Sequence, residues 1–417
     1  MRRTQYSMRP VRSFIPILSI AACSSLILFA TFYLSHGGRW RGIPQKIGLG
    51  DFIRPQPAKP YYNADGSAPP FNISEFVSGI PKPLGERYSR ALVIAKTKKE
   101  NSSWVDDEVT GWDKAVYVID DPQAPLHTPK NKGHEAMVYF TYIIDNYDNL
   151  PDVMAFMHAH RTGWHNEEIF DFDALEMINH LSMERVTREG YMNMRCLLAP
   201  GCPDWLHPGM LQEDGQKKEE FLIAQAWSEI FPDIPVPQVL AQPCCGQFAL
   251  SRERVLSIPR ERYIYYRDWL LRTDIRDTMS GRIWEYLWHM VFTGETVHCP
   301  SANACLCDGF GICFDNDAQI DTYYQTMWRI RDAKDELKDW VQQDGILDED
   351  ARISLSLDEM EDAELAEGDS KGILLTAEVE EKTAELEKMK QEALKKGEQA
   401  LWRAYSAGRK YHQGDGF

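Results

Sequence analysis

Apolar and polar positions along this chain follow two different periods, and the places where the period changes outline a domain. Over residues 135–147, Ala136, Phe140, Ile143, Ile144 and Tyr147 recur at three- and four-residue steps, the spacing of a helix with one apolar face. Asn131 and Gly133 open the turn before it, and Pro151 closes it by biasing Leu150 away from helical angles. Residues 153–157 are then wholly apolar, the pattern of a buried strand. At the end of that run the chain turns to His158, His160, Arg161, Trp164 and His165. Ligand sites in open α/β sheets lie beyond the carboxyl ends of strands, so this unit marks where a site is expected.

The same reading predicts strands over 91–95, 116–119, 191–198 and 247–250. Helices are predicted over 172–184, capped by Asp171 or Asp173, over 221–231 and over 282–292. Tyr323, Met327, Ile330, Leu337 and Val341 mark a further helix docked on the domain. A charged helix over 378–407 carries only a thin seam at Val379, Leu386 and Met389, which reads as a lone solvated helix, with helix-mediated self-association through 373–407 as its other use. Strands alternating with helices predict an α/β domain with a mixed, mostly parallel sheet flanked by helices.

Charge and targeting signals change the picture at both ends. Residues 14–34 are 21 uncharged, largely apolar positions, long enough to span a bilayer. Arg2, Arg3, Arg9 and Arg12 precede them and Arg39 and Arg41 follow, which predicts a cytoplasmic tail at 1–13 and a translocated remainder. A Pro- and Gly-rich stem at 35–84 leads to the α/β domain at 85–315, the docked helix at 316–345, an acidic disordered segment at 346–372 and the charged helix and tail at 373–417. The acidic segment holds ten acids against two bases, about half of the net charge of -17, and that balance argues against a nucleic-acid partner. This predicts a type II membrane protein of the Golgi or endoplasmic reticulum. Eight cysteines on the lumenal side suit an oxidising compartment, which favours disulfides over a zinc cluster at 299–313; their pairing is left open. Asn72 and Asn101 stand in glycosylation sequons.

Candidate chemistry gathers in three places. His158 and His160 would point to one side of a strand end and offer two metal ligands, with a structural role in the loop as the alternative; a catalytic zinc needs a third. Glu285 and His289 are four apart on the predicted 282–292 helix, among tryptophans that would raise a carboxyl pKa toward that of a general base. Gln247 could orient a polar ligand or satisfy backbone, and Glu135 sits in the first turn of its helix. The acid pairs Asp171/Asp173 and Asp315/Asp317 are weak candidates for manganese or another divalent metal, reading more readily as a helix cap and a turn.

The stretches NKGHEAMVYFTYIIDNYDNLPDVMAFMHAH, WHN, CCGQFALSRERV, SGRIWEYLWHMVF and HCPSANACLCDGFGIC, in order over residues 88–315, resemble the fungal family called domain of unknown function 3431. QFALSRERV followed by a Trp-rich helix bearing Glu285 is similar, more distantly, to the acceptor side of glycosyltransferases of the GT-A fold. That likeness implies transfer of a sugar from a nucleotide sugar to a glycan or other hydroxyl acceptor. It implies Glu285 as base, and His158, His160 and Arg161 beside the donor phosphates, with His165, Trp164, Gln247, Asn131 and Glu135 lining the substrate. A metal-dependent hydrolase at His158 and His160 and a non-catalytic lumenal glycan-binding or scaffold protein are the alternatives.

Overall fold

The computed structural model describes residues 78–210, 215, 217–343 and 370–417. The expected membrane anchor, the stem as far as 77 with Asn72, and nearly all of the acidic segment lie outside the described residues. Among the described residues no helix is long and apolar enough to cross a membrane.

In chain order the elements are β1 (Arg90–Lys96), α1 (Ser103–Asp107), β2 (Asp113–Val118), α2 (Glu135–Asn146), β3 (Val153–His158), α3 (Ala174–His180), α4 (Met183–Glu189) and β4 (Tyr191–Asn193). Then follow α5 (Glu220–Ile230), β5 (Phe248–Ser251), α6 (Arg252–Leu256), α7 (Arg260–Arg272), α8 (Asp277–Glu285), α9 (Trp288–Thr293), α10 (Ala302–Phe310), α11 (Asp317–Gln343), α12 (Ser370–Gly397) and α13 (Ala400–Ser406). The stretch Pro208–Val236 separates from the rest as part of a second unit. Within it Trp227 of α5 packs on Phe231 and donates its indole N–H to the Ile234 carbonyl at 2.9 Å.

Among the described residues of the other unit, five strands join one mixed sheet in the order β2-β1-β3-β5-β4. β1 pairs in parallel with β2 and β3, while β5 runs antiparallel to β3 and β4, so four strands point one way and one is reversed. Strand alternation sends Val153, Ala155 and Met157 to one face and Met154 and Phe156 to the other. The first face meets a core of Ile169, Phe170, Met177, Val186, Leu306 and Tyr323. The second is aromatic: Phe156 lies 5.0 Å from Tyr139 of α2, Phe248 lies 5.0 Å from Trp288 of α9, and Phe140 meets Trp284 edge-on at 4.6 Å. α2 is apolar nearly all round because it is sandwiched between β1 and α7.

Several boundaries differ from the sequence reading. The helix expected over 172–184 is two, because Leu181 is extended and the Ser182 hydroxyl accepts from Arg185 N to cap a second helix. Asp173 is the cap of the first, accepting from Leu175 N, while Asp171 is left-handed. The helix expected over 282–292 breaks after Glu285, whose carbonyl accepts from the Gln242 side-chain amide instead of from a further helical turn. The strand expected over 191–198 is paired only over Tyr191–Asn193. Within the cysteine-rich 299–313 stretch, Ala302–Phe310 form α10, a helix not expected from the sequence.

The lone solvated helix is overturned as well. α12 runs antiparallel to α11, with Leu375 and Val379 packed on Ala333, Leu337 and Trp340, and Arg329 paired with Glu378 at 2.7 Å. Further along, Leu386, Met389 and Ala393 join the main core. The thin seam is enough because it meets an apolar surface already built by the domain.

The eight cysteines form four disulfides: Cys196–Cys305, Cys202–Cys299, Cys244–Cys245 and Cys307–Cys313. The first two tie the segment after β4 to the start of α10, 109 and 97 residues on.

Candidate active site

The carboxyl edge of the sheet gathers His158 at the end of β3 and, because β5 is reversed, the Cys244–Gln247 approach to β5 as well. Gln247 is buried and fully used by the protein. Its Oε1 accepts from His158 N at 2.9 Å, and its amide donates to the His165 carbonyl at 3.2 Å and to Asn166 Oδ1 at 3.0 Å. It therefore welds β3, the loop after it and β5 together.

The His158 ring donates Nε2–H to the Cys245 carbonyl at 3.0 Å, which leaves Nδ1 as the acceptor nitrogen. Burial lowers its pKa below the usual histidine value, against the opposing pull of that bond and of Glu285. His165 packs on His158 with ring centroids 4.6 Å apart, and Trp164 packs on His165 at 4.2 Å. Burial, then the neighbouring histidines and Arg195, push His165 down to about 4. Both rings are neutral at physiological pH.

His160 and Arg161 face outward. β3 ends at His158, so strand alternation no longer fixes His160, which is exposed with Nε2 3.5 Å from Glu100. Arg161 is spent on two carboxylates, Glu108 and, at 3.1 Å, Asp173. Among the described residues no group of three or more His, Cys, Asp or Glu side chains is placed to hold a metal ion. The acid pairs do not fit one: Asp173 is tied to Arg161 and Leu175 N, and Asp315 to Lys396 at 2.6 Å.

A second cluster lies around Gly246. The loop before α2 is held by α8, since Asp277 Oδ1 accepts from Gly133 N at 2.5 Å. Gly281 lets His134 close in: a Cβ there would lie 2.7 Å from the His134 ring. This clamp sets Glu135, at the first turn of α2, near the α8 terminus that carries Glu285. A Cβ at Gly246 would lie 3.3 Å from Glu285 Cγ, 3.4 Å from Glu135 Oε1 and 3.9 Å from Trp288 Nε1, so the three groups converge on one point. Gly246 has φ +64°, where glycine is favoured.

Glu135 is buried, yet its Oε1 has no hydrogen-bond partner; the hydroxyl of Tyr139 and the indole nitrogens of Trp284 and Trp288 are likewise unpartnered. Burial, with Asp277 adding to it, raises the Glu135 pKa to about 7. Tyr139 is pushed well above its usual value by burial and then by Glu135 and Glu285, so both acids act on its hydroxyl. The Glu285 charge also reaches His158, which links the two clusters.

The remaining expected residues fall elsewhere. His289 lies in α9 with its Nε2 donating to the Thr296 carbonyl at 3.0 Å, and burial lowers its pKa to about 3. Because the helix breaks after Glu285, the two do not share one helical face. Asn131 is exposed in the loop before α2. Asn101 is exposed, its Oδ1 accepting from Ser103 N at 2.9 Å. Sequence reasoning missed Tyr139, Gly246 and the Trp288 indole. Tyr139 was within reach, since it stands four residues after Glu135 on one helix face.

The profile of the family described as Protein of unknown function (DUF3431) matches residues 92–308, more than half of the chain. The chain belongs to the DUF3431 family. The match runs from β1 into α10 and so takes in both clusters of the site. No curated protein and no solved structure is matched.

Proposed function

We propose that this DUF3431 protein is a glycosyltransferase-like enzyme of the secretory pathway that moves a sugar from a nucleotide sugar to a glycan or other hydroxyl acceptor. One observation carries the reading: the buried carboxyl of Glu135, with its Oε1 unpartnered, and Glu285 converge on Gly246 at the carboxyl edge of a mixed α/β sheet. Burial, and after it the Asp277 charge, disfavour ionisation of Glu135. Glu135, the buried acid, holds its proton toward neutrality, while Glu285 is the carboxylate whose charge reaches Tyr139 and His158. Glu285 then accepts the proton of the acceptor hydroxyl as that oxygen bonds to the anomeric carbon. The bond from that carbon to the nucleotide diphosphate breaks, with inversion. Tyr139 and Trp288 supply donors for the sugar hydroxyls.

No step is routed through a metal, because the acid pairs do not fit one and His158 with His160 lacks a third ligand among the described residues. Four disulfides support a lumenal domain. The type II anchor at 14–34 remains the sequence-based part of the proposal.

The test is nucleotide release by the full-length protein from a panel of nucleotide sugars, with and without manganese. Release from one donor, reduced by about 100-fold or more in Glu285→Gln as expected for loss of a general base, supports the reading. Unchanged release in that variant rejects Glu285 as the base.

A further inference from the structure

Trp164 is 64% exposed, and it is fixed in place more firmly than an exposed side chain needs. Its carbonyl accepts from Arg195 at 2.6 Å, and Arg195 also binds the Asn166 carbonyl at 3.2 Å and Glu168 at 3.1 Å. The intervening His165 carbonyl is held by Gln247. Three successive carbonyls are thus tied by buried side chains, so the loop cannot fold Trp164 inward. One face of the indole packs on His165 with the planes 35° apart. A rigid, exposed indole is a costly way to fill a surface and an economical way to receive a ring, because little conformational freedom is lost on binding.

Charge narrows the ring. Arg161, on the same loop, is neutralised by Glu108 and Asp173, and His160 lies beside Glu100. Glu285 acts on His158 at the far end of the Trp164–His165–His158 ring stack. This surface offers carboxylates and neutral rings, which suit a ligand rich in hydroxyl donors and repel a diphosphate. A pyranose has that character: one apolar C–H face that lies on the electron-rich face of an indole, and hydroxyls around its rim.

The geometry points to the outer face of Trp164 as the stacking platform for a neutral pyranose ring, the acceptor glycan. The word acceptor rests on the transfer reading above, whereas the stacking does not.

The experiment is saturation-transfer NMR and titration of the full-length protein with mannotriose, maltotriose and chitotriose, and with uridine diphosphate as the anionic aromatic probe. The expected result is binding of at least one trisaccharide, weakened about ten-fold or more in Trp164→Ala and largely kept in Trp164→Phe, in line with the loss of one stacked ring. Tyr405→Ala, which removes another exposed aromatic ring, is expected to leave binding unchanged. Equal binding by Trp164→Ala and wild type overturns the proposal. So does binding of none of the three, or Trp164-dependent binding of uridine diphosphate alone. Trp164-dependent trisaccharide binding without release of nucleotide from any donor keeps the platform and removes the transferase. Donor turnover with Trp164-independent glycan binding does the reverse.

Discussion

The glutamates Glu167 and Glu168 on one side and Glu135 on the other are treated in opposite ways in this fold. Every carboxylate oxygen of Glu167 and Glu168 is bonded. Tyr324 donates to Glu167 Oε1 at 2.6 Å, and Cys196 N and Leu197 N donate to its Oε2 at 2.6 and 3.2 Å. Arg195 and Trp328 serve Glu168 at 3.1 and 2.8 Å. Around Gly246 the buried Glu135 keeps a bare Oε1, and the Tyr139 hydroxyl and two indoles stay unpartnered beside it. A buried polar group without a partner costs about 1–3 kcal/mol. The first pair stabilises the fold by joining the loop after β3 to the segment after β4 and to α11. The bare Oε1 of Glu135 and the unpartnered donors beside it cost the fold stability, as expected where the missing partner is a ligand.

This contrast breaks most visibly at Glu167. Glu167→Gln replaces one acceptor oxygen with a donor facing Tyr324 or the Cys196 and Leu197 amides. It is expected to lower the unfolding free energy by roughly 3 kcal/mol, read by urea denaturation. A loss below about 0.5 kcal/mol, the range of an ordinary surface substitution, would remove Glu167 from the structural class.

Gly246→Ala sharpens the other side. A side chain at φ +64° costs about 1–2 kcal/mol, and the new Cβ would press on Glu285 and fill the space facing Glu135 and Trp288. The variant should unfold at slightly lower urea yet lose nucleotide release almost wholly. Full turnover would show that the space before Gly246 is not where the reaction occurs.

Much of this fold was legible. The apolar runs marked β1 and β3 and the second half of β2, which begins earlier at the charged Asp113 and Lys114, and the 135–147 periodicity gave α2 to within a residue. The breaks at Leu181 and after Glu285 were hidden because each depends on a single side-chain hydrogen bond, one accepted by the Ser182 hydroxyl from Arg185 N and one donated by the distant Gln242 amide to the Glu285 carbonyl. The packing of α12 was hidden because a weak seam suffices when its partner surface comes from distant elements. At the site, the chemistry-bearing residue types stood out but their division of labour did not. Gln247 turned out to bind backbone and Asn166, and Arg161 to be neutralised by acids far away in sequence. Glu135 drew notice as a helix-terminal acid and a substrate-lining residue, not as the partner of Glu285. Its meeting with Glu285 depends on Gly281 and Asp277 clamping the loop before α2, a tertiary event that no local pattern records.

The central claim is that Glu135 is a buried acid that keeps its proton near neutrality. With a folded pKa of about 7 against an ordinary 4.5, the native state holds a proton that the unfolded chain has released between those values. Stability from this group therefore falls as pH rises from about 4.5 to about 7, by up to roughly 3 kcal/mol, and is level above that. His165 and His289, whose pKa values are lowered, act in the opposite sense, raising stability as pH climbs toward 6.5, and they are common to wild type and variant. The most direct measurement is the unfolding free energy of wild type and Glu135→Gln across this range. The account predicts that wild type loses stability relative to Glu135→Gln as pH rises, until the variant is the more stable above pH 7. A difference that does not change with pH would mean that Glu135 is ionised throughout, and would contradict the carboxyl pair on which the proposed chemistry stands.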